Sequence, residues 1–250
     1  MMQRHYFLSP ADRAVVGSGS VVLDKYMALR LRYVTGMGWL HGISSDHDVY
    51  DGLGDTRYFV RLDQRPADVS AGMRATRVAS LHDSLTWRML GTTPGTQQTV
   101  SAANELLIAR LGRCAADEFR GLWDITRLVA PLEGPMSKAE IVRGIYELFG
   151  MALYTTAIEP EANPAWVFLT TRSVKRLLDM SGMEYTTMFC GRVTPTDDYD
   201  CYLCVMSPRS LYSLFGQSSC GPARRRALDG VAAGFDAMRS QAMGADTQTG

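Results

Sequence analysis

The chain has 250 residues, 46% hydrophobic and 21% charged, an ordinary globular composition that excludes a disordered or collagen-like protein. Its 26 basic and 26 acidic residues cancel, so no global field directs it to nucleic acid or an anionic membrane. No apolar run approaches the roughly 20 residues of a membrane span, and "MMQRHYFLSPADRAVVGSGS" lacks a signal-peptide layout, so a cytoplasmic protein is expected.

In chain order, residues 1–20 read as a flexible arm with Gly17, Ser18, Gly19 and Ser20 as its joint. Residues 21–34 fit an amphipathic helix, with Leu23, Met27, Leu31 and Val34 at helical spacing. A Gly-rich acidic loop follows, carrying Trp39, Asp46, Asp48, Asp51 and Asp55. Strands are predicted at 56–62 and 71–80, a Thr/Gly/Pro-rich stretch at 91–99, a helix at 101–111, and a strand in "GLWDITRLVA" (121–130).

Ser137 and Glu140 make a capping box, opening a helix whose buried stripe is Ile141, Ile145, Leu148 and Ala152. Residues 165–170 form a dense central strand, and 171–182 a helix with Thr171 as N-cap and Gly182 as its stop. Strands at 185–190 and 200–206 and a helix at 222–240 complete the order, with 241–250 a frayed tail. Residues 21–240 are thus expected to be a single α/β domain around a mixed sheet, without internal repeats.

Common chemical signatures fail. Cys201 and Cys204 form a CxxC, but three residues apart on a strand they face opposite sides, and no second ligand pair accompanies them. The four histidines have no zinc-ligand spacing, so no metal is expected. GxSxG, GxxxxGK[ST] and GxGxxG are all absent. Arg30 and Arg32 at a helix end, the loop aspartates and Arg74 in a strand each have an ordinary solvated or turn-capping reading. Asp124 and Arg127 do not fit one so easily. Burying either charge alone costs several kcal/mol, roughly, so they form a structural ion pair or part of a site.

Taken in order, Trp39, the "DVYDGL" pair Asp48 and Asp51, "RYFV", the "GMR" of Arg74 and Trp123-Asp124-Ile125-Thr126-Arg127 resemble N-acyl-homoserine lactone synthases, the autoinducer synthases of bacterial quorum sensing. "WVFLTTRSVKRLLDMSGMEYTTMFCG" resembles that family's strand–helix segment, and the resemblance spans about residues 25 to 205. Against the family pattern, Asp124 replaces a glutamate, Leu128 replaces an aromatic, and Arg30 stands nine residues before Trp39.

The resemblance implies a GNAT-like three-layer α-β-α sandwich with a mixed, bulged central sheet. It implies an acyltransferase joining S-adenosylmethionine, as substrate rather than cofactor, to a fatty acyl group on acyl carrier protein or coenzyme A. The protein is expected to act as a monomer without cofactors. The resemblance implies Asp124, Arg127 and Arg74 as catalytic residues, and Arg30 or Arg32, Trp39, Asp48, Asp51 and Thr126 around S-adenosylmethionine. It also implies an acyl-chain pocket lined by Trp123, Trp166, Phe168, Thr170 and Met188. Arg172, Lys175 and Arg176, at i, i+3, i+4 spacing, make either a carrier-docking cluster or a solvated helix face.

Asp124 and Arg127 would point to opposite faces of a regular strand. A bulge or splay within 124–128 is therefore predicted, aiming both into one cleft. The alternatives are a general acetyl-coenzyme A N-acetyltransferase, disfavoured because "APLEGPMSKAE" lacks a phosphate-cradling loop, and a non-catalytic binding protein on the same fold.

Overall fold

The computed structural model describes residues 5–9, 18–36, 48–63, 69–79, 83–91, 122–131, 136–157, 165–191, 201–207 and 221–246. The strands are β1 (His5–Leu8), β2 (Thr56–Leu62), β3 (Val69–Val78), β4 (Leu122–Val129), β5 (Ala165–Thr171), β6 (Thr186–Gly191) and β7 (Cys201–Met206). The helices are α1 (Ser18–Gly36), α2 (Leu85–Gly91), α3 (Lys138–Ala157), α4 (Arg172–Ser181) and α5 (Pro222–Asp246). The strand order is β1-β2-β3-β4-β5-β7-β6. The sheet is mixed: β4 and β5 run parallel, while β1–β2, β5–β7 and β6–β7 run antiparallel. The fold class is the expected α/β. The predicted helix at 101–111 and Trp39 lie outside the described residues.

The chain divides into two compact units, residues 1–75, 127–155 and 225–250 in one and residues 76–126 and 156–224 in the other. In the first, β1 lies within the stretch read as a flexible arm. Its four residues are too short a run to stand out, and only Leu8 among them is buried. Leu8 joins Tyr58, Val60 and Leu62 of β2 and Leu23, Tyr26 and Leu29 of α1 in one core, with Tyr6 packed against it. Phe7 stacks at 5.6 Å on Phe59, and His5 hydrogen-bonds Glu147 of α3 at 2.9 Å. The period of two therefore sends α1 to one face of β1 and β2 and α3 to the other.

The capping box of α3 forms as expected: Ser137 N–H donates to Glu140 Oε2 at 2.8 Å, and Glu140 N–H to Ser137 Oγ at 3.2 Å. The buried surface is wider than the expected stripe, with every residue from Gly144 to Leu153 buried. The cause is close packing on two sides. Gly144 faces Ala71 and Arg61, while Gly150 faces the backbone of Val231 in α5. That last helix also continues to Asp246, past the predicted frayed point.

A charge is buried in this packing. Glu147 accepts hydrogen bonds from Arg61 Nε and, at 2.8 Å, from Arg143 Nε, besides its bond to His5. Burial acts to raise its pKa, but the bonds from His5 and Arg61 and their charges outweigh it, lowering the value from 4.5 to about 2. A depressed carboxylate contributes stability that is complete above its ordinary value and is lost as pH falls toward the folded value. Glu147 is therefore expected to contribute about 3 kcal/mol at neutral pH, lost between about pH 4.5 and 2. Acid unfolding of Glu147→Gln should show a shallower limb over that window, and an unchanged limb would contradict the assignment.

In the second unit, β4 and β5 pair Trp123 with Trp166. Thr170, Phe168 and Trp166 oppose Tyr202, Cys204 and Met206. Gly182 ends α4 with φ of 75°, a left-handed conformation suited to glycine, as the sequence predicts. Thr171 is the N-cap by position but makes no side-chain capping bond. Cys201 and Cys204 are both buried and unbridged. Burial raises the Cys204 thiol to about 11, so it stays protonated.

Candidate functional site

The site is built on the Asp48 and Asp51 loop. Asp48 caps the 3-10 turn Val49–Gly52, its Oδ1 accepting from Tyr50 N–H at 2.9 Å, while Asp51 Oδ2 accepts from Asp48 N–H at 3.0 Å. The i, i+3 spacing closes this reciprocal box and turns both carboxylates toward α1, β3 and β4. Turn-capping and cation-binding are thus one arrangement rather than competing readings.

Three arginines meet those two acids. Arg30 of α1 grips Asp51 with two bonds, Nη1 to Oδ1 at 2.7 Å and Nη2 to Oδ2 at 3.2 Å. Arg74 of β3 bridges the pair, its Nη1 lying 2.6 Å from Asp48 Oδ1 and 3.0 Å from Asp51 Oδ1. Arg127 of β4 reaches Asp48 Oδ2 through Nη2 at 3.0 Å. Tyr58 donates to Asp51 Oδ1 at 3.0 Å, and the ring of Tyr50 lies 5.5 Å below the Arg74 guanidinium. The side chains of Arg30 and Arg74 are fully buried and Asp51 nearly so, whereas Asp48 and Arg127 are 18% and 19% exposed. The cluster therefore has a closed interior and an edge made of one carboxylate and one guanidinium.

The electrostatics fix its charge state. Burial raises the Asp51 pKa, but the hydrogen bond and charge of Arg30 and the charge of Arg74 outweigh it and hold the carboxyl well below the usual range. Asp48 is likewise lowered, burial being overcome chiefly by Arg74. Both acids are charged at neutral pH and too weakly basic to take a proton there. Three guanidiniums against two carboxylates leave the cluster with one net positive charge.

β4 is irregular within the stretch where a bulge or splay is expected, but the expected aiming of Asp124 with Arg127 into one cleft is not what the described bonds of Asp124 serve. Arg127 adopts φ of 56°, and among the described residues no other non-glycine residue has a positive φ. Its neighbour Asp124 is 1% exposed, and its Oδ2 accepts from Leu85 N–H at 2.7 Å and Thr86 N–H at 3.3 Å. Together with Ser84 Oγ, which accepts from Trp87 N–H at 3.0 Å, Asp124 satisfies the first turn of α2. Sequence reading missed this cap because its partners lie nearly forty residues upstream. Asp124→Ala is expected to cost about 1–2 kcal/mol by uncapping α2, measurable by denaturant unfolding. A cost below about 0.5 kcal/mol would show that α2 does not depend on it.

The other predicted residues sort as follows. Arg30 rather than Arg32 joins the cluster; Arg32, two residues on, is exposed on another side of α1. Thr126 is half-buried on β4. Trp123, Trp166, Phe168 and Thr170 are buried, with Trp166 Nε1 donating to Thr156 Oγ1 at 3.1 Å. Met188 lies at a register shift in β6, between Thr187 and Phe189. Of the basic trio on α4, Arg172 and Arg176 are exposed. Lys175 instead bonds Asp179 at 3.2 Å and lies over the rings of Tyr185 and Tyr202, at 5.2 and 5.8 Å. The i, i+4 partner Asp179 was the available sequence signal that Lys175 is already engaged.

No protein-family model matches the chain, and comparison with curated proteins finds no match. Solved structures do match. The crystal structure of TofI in a ternary complex with an inhibitor and MTA has 14% identity and a TM-score of 0.53, covering 85% of this chain and 96% of that one. The CoA-dependent acyl-homoserine lactone synthase MesI has 14% identity and a TM-score of 0.51, covering 93% and 95%. BjaI, a CoA-dependent acyl-homoserine lactone synthase with SAM and isopentyl-CoA, has 17% identity and a TM-score of 0.51, covering 90% and 98%. At these identities the likeness is one of fold: the chain has the fold of TofI, MesI and BjaI along nearly their whole length.

Proposed function

We propose that the protein is an acyltransferase making an N-acyl-homoserine lactone from S-adenosylmethionine and a fatty acyl thioester. The observation that carries this reading is the cluster of Arg30, Arg74, Arg127, Asp48 and Asp51, which pairs two charged acids with three arginines and leaves Asp48 and Arg127 at the edge. S-adenosylmethionine carries an ammonium, a sulfonium and a carboxylate. Asp48 suits its cationic groups and the outer guanidinium of Arg127 its carboxylate, while Arg30, Arg74 and Asp51 hold those two in place.

In the first step the substrate amine, having lost a proton, attacks the thioester carbon. The C–N bond forms, the C–S bond breaks and the thiol leaves. In the second, the substrate carboxylate attacks its own γ-carbon. The C–O bond of the lactone forms, the bond to sulfur breaks, and neutral methylthioadenosine departs with the electron pair. The charged acids Asp48 and Asp51 are electrostatic partners in this scheme and not the proton acceptor. A base near the amine, or solvent, takes that proton.

Purified protein with S-adenosylmethionine and acyl-coenzyme A or acyl carrier thioesters should release methylthioadenosine and an acyl-homoserine lactone. Acetyl transfer to an amine without methylthioadenosine would instead support the general acetyltransferase, and binding without product a non-catalytic protein. The two donors in parallel decide between coenzyme A and carrier protein.

A further inference from the structure

The backbone of Arg127 poses a separate question: what holds a non-glycine residue in the left-handed region inside a strand? The answer lies in α1. Tyr26 is fully buried, and its hydroxyl donates to the carbonyl oxygen of Arg127 at 3.0 Å, across 101 residues of sequence. Its ring is seated against β3 where Gly72 leaves room; a Cβ at Gly72 would lie 2.3 Å from Tyr26 Cδ2 and 2.4 Å from Cε2. Tyr58 packs edge-on at 5.9 Å, and the Arg30 guanidinium lies 5.6 Å from the ring centre. Each of these contacts fixes the ring, and the fixed ring aims one hydroxyl at one carbonyl.

We propose that Tyr26 is a positioning residue: seated over Gly72, its hydroxyl holds Arg127 in the left-handed conformation that carries the guanidinium to Asp48. The inference rests on the reading that Arg127 and Asp48 form the substrate-facing edge. A phenylalanine would fill the same space, so packing alone does not call for the hydroxyl. A left-handed arginine is unfavourable unless its surroundings impose the conformation. Burial raises the Tyr26 pKa well above the usual tyrosine range, against the nearby arginines, so the hydroxyl remains a donor at any working pH. The same geometry explains the glycine of "GMR": Gly72 makes room for the ring, and Arg74 follows two residues later on the same face of β3.

The test separates this inference from the proposed activity. Carbon chemical shifts of Arg127 report its φ without any substrate. They should lose the left-handed signature in Tyr26→Phe, and also in Gly72→Ala, which displaces the ring while leaving Tyr26 and Arg127 themselves unsubstituted. In calorimetry with S-adenosylmethionine, Tyr26→Phe should weaken binding about ten-fold. Arg127→Ala should weaken it at least as much, and adding Tyr26→Phe to Arg127→Ala should change nothing further, because the hydroxyl acts through Arg127. Retention of the left-handed signature in both Tyr26→Phe and Gly72→Ala would overturn the proposal, as would additive losses in the double variant. If the parent chain binds no S-adenosylmethionine, the proposed function fails, while the chemical shifts still decide the role of Tyr26.

Discussion

Replacing Arg74 with methionine should destabilise the protein by about 3–5 kcal/mol and abolish methylthioadenosine release. Arg74 is fully buried and bonds both acids of the cluster. Methionine fills much of the volume but carries no charge, so Asp48 loses its 2.6 Å bond and Asp51 loses a guanidinium beside that of Arg30. Nearly buried Asp51 cannot recover that loss from water. Denaturant unfolding with the activity assay checks both halves of the expectation. A folded Arg74→Met protein with near-parent turnover would remove the cluster from the mechanism. Lysine at the same place should rescue stability in part but not turnover, since a single ammonium cannot serve both carboxylates with the same geometry.

A comparably large effect is expected far from those charges, at the crossing of α3 and α5. A Cβ on Gly234 would lie 1.8 Å from Glu147 O, and one on Gly150 would lie 1.9 Å from Val231 O. Both obstacles are backbone, so no rotamer change relieves them and the helices must separate. Gly234→Ala should therefore exceed the usual overpacking cost, at about 3 kcal/mol or more. That corresponds to a fall of roughly 6–12 °C in Tm for a chain of this size. A thermal scan showing a shift under about 2 °C would mean the helices do not pack at backbone contact. Separation would also disturb Glu147, whose carboxylate ties α3 to His5 and Arg61.

What the sequence revealed of this architecture follows from the range over which each cause acts. The capping box of Ser137 and Glu140 and the stop at Gly182 are local, and both form where expected. The cluster was legible as residue types: Arg30, Arg74, Asp48, Asp51 and Arg127 are charges in segments that otherwise read as apolar or turn, and the fold gathers all five. What stayed hidden depends on partners distant in sequence. Asp124 looked like a companion of Arg127, yet its described bonds go to the start of α2. Tyr26 stands outside the apolar spacing read for α1, and its hydroxyl finds its acceptor on β4. β1 gains its alternation only once β2 lies beside it. Lys175 read as part of a docking cluster or solvated face, and its aromatic neighbours Tyr185 and Tyr202 carry no helical spacing that would reveal them.

On the proposed function, the left-handed arginine in β4 also sets protein stability against activity in selection. Glycine or asparagine adopts φ near 56° with less strain than arginine, and the half-buried Arg127–Asp48 pair offsets only part of that difference. A library at this position screened only for resistance to heat should therefore accept glycine and asparagine as readily as arginine. Screened for signal production, the same library should return arginine. Variants recovered by stabilisation campaigns are worth sequencing at position 127 first, because the proposed function predicts that heat tolerates more amino acids there than turnover does.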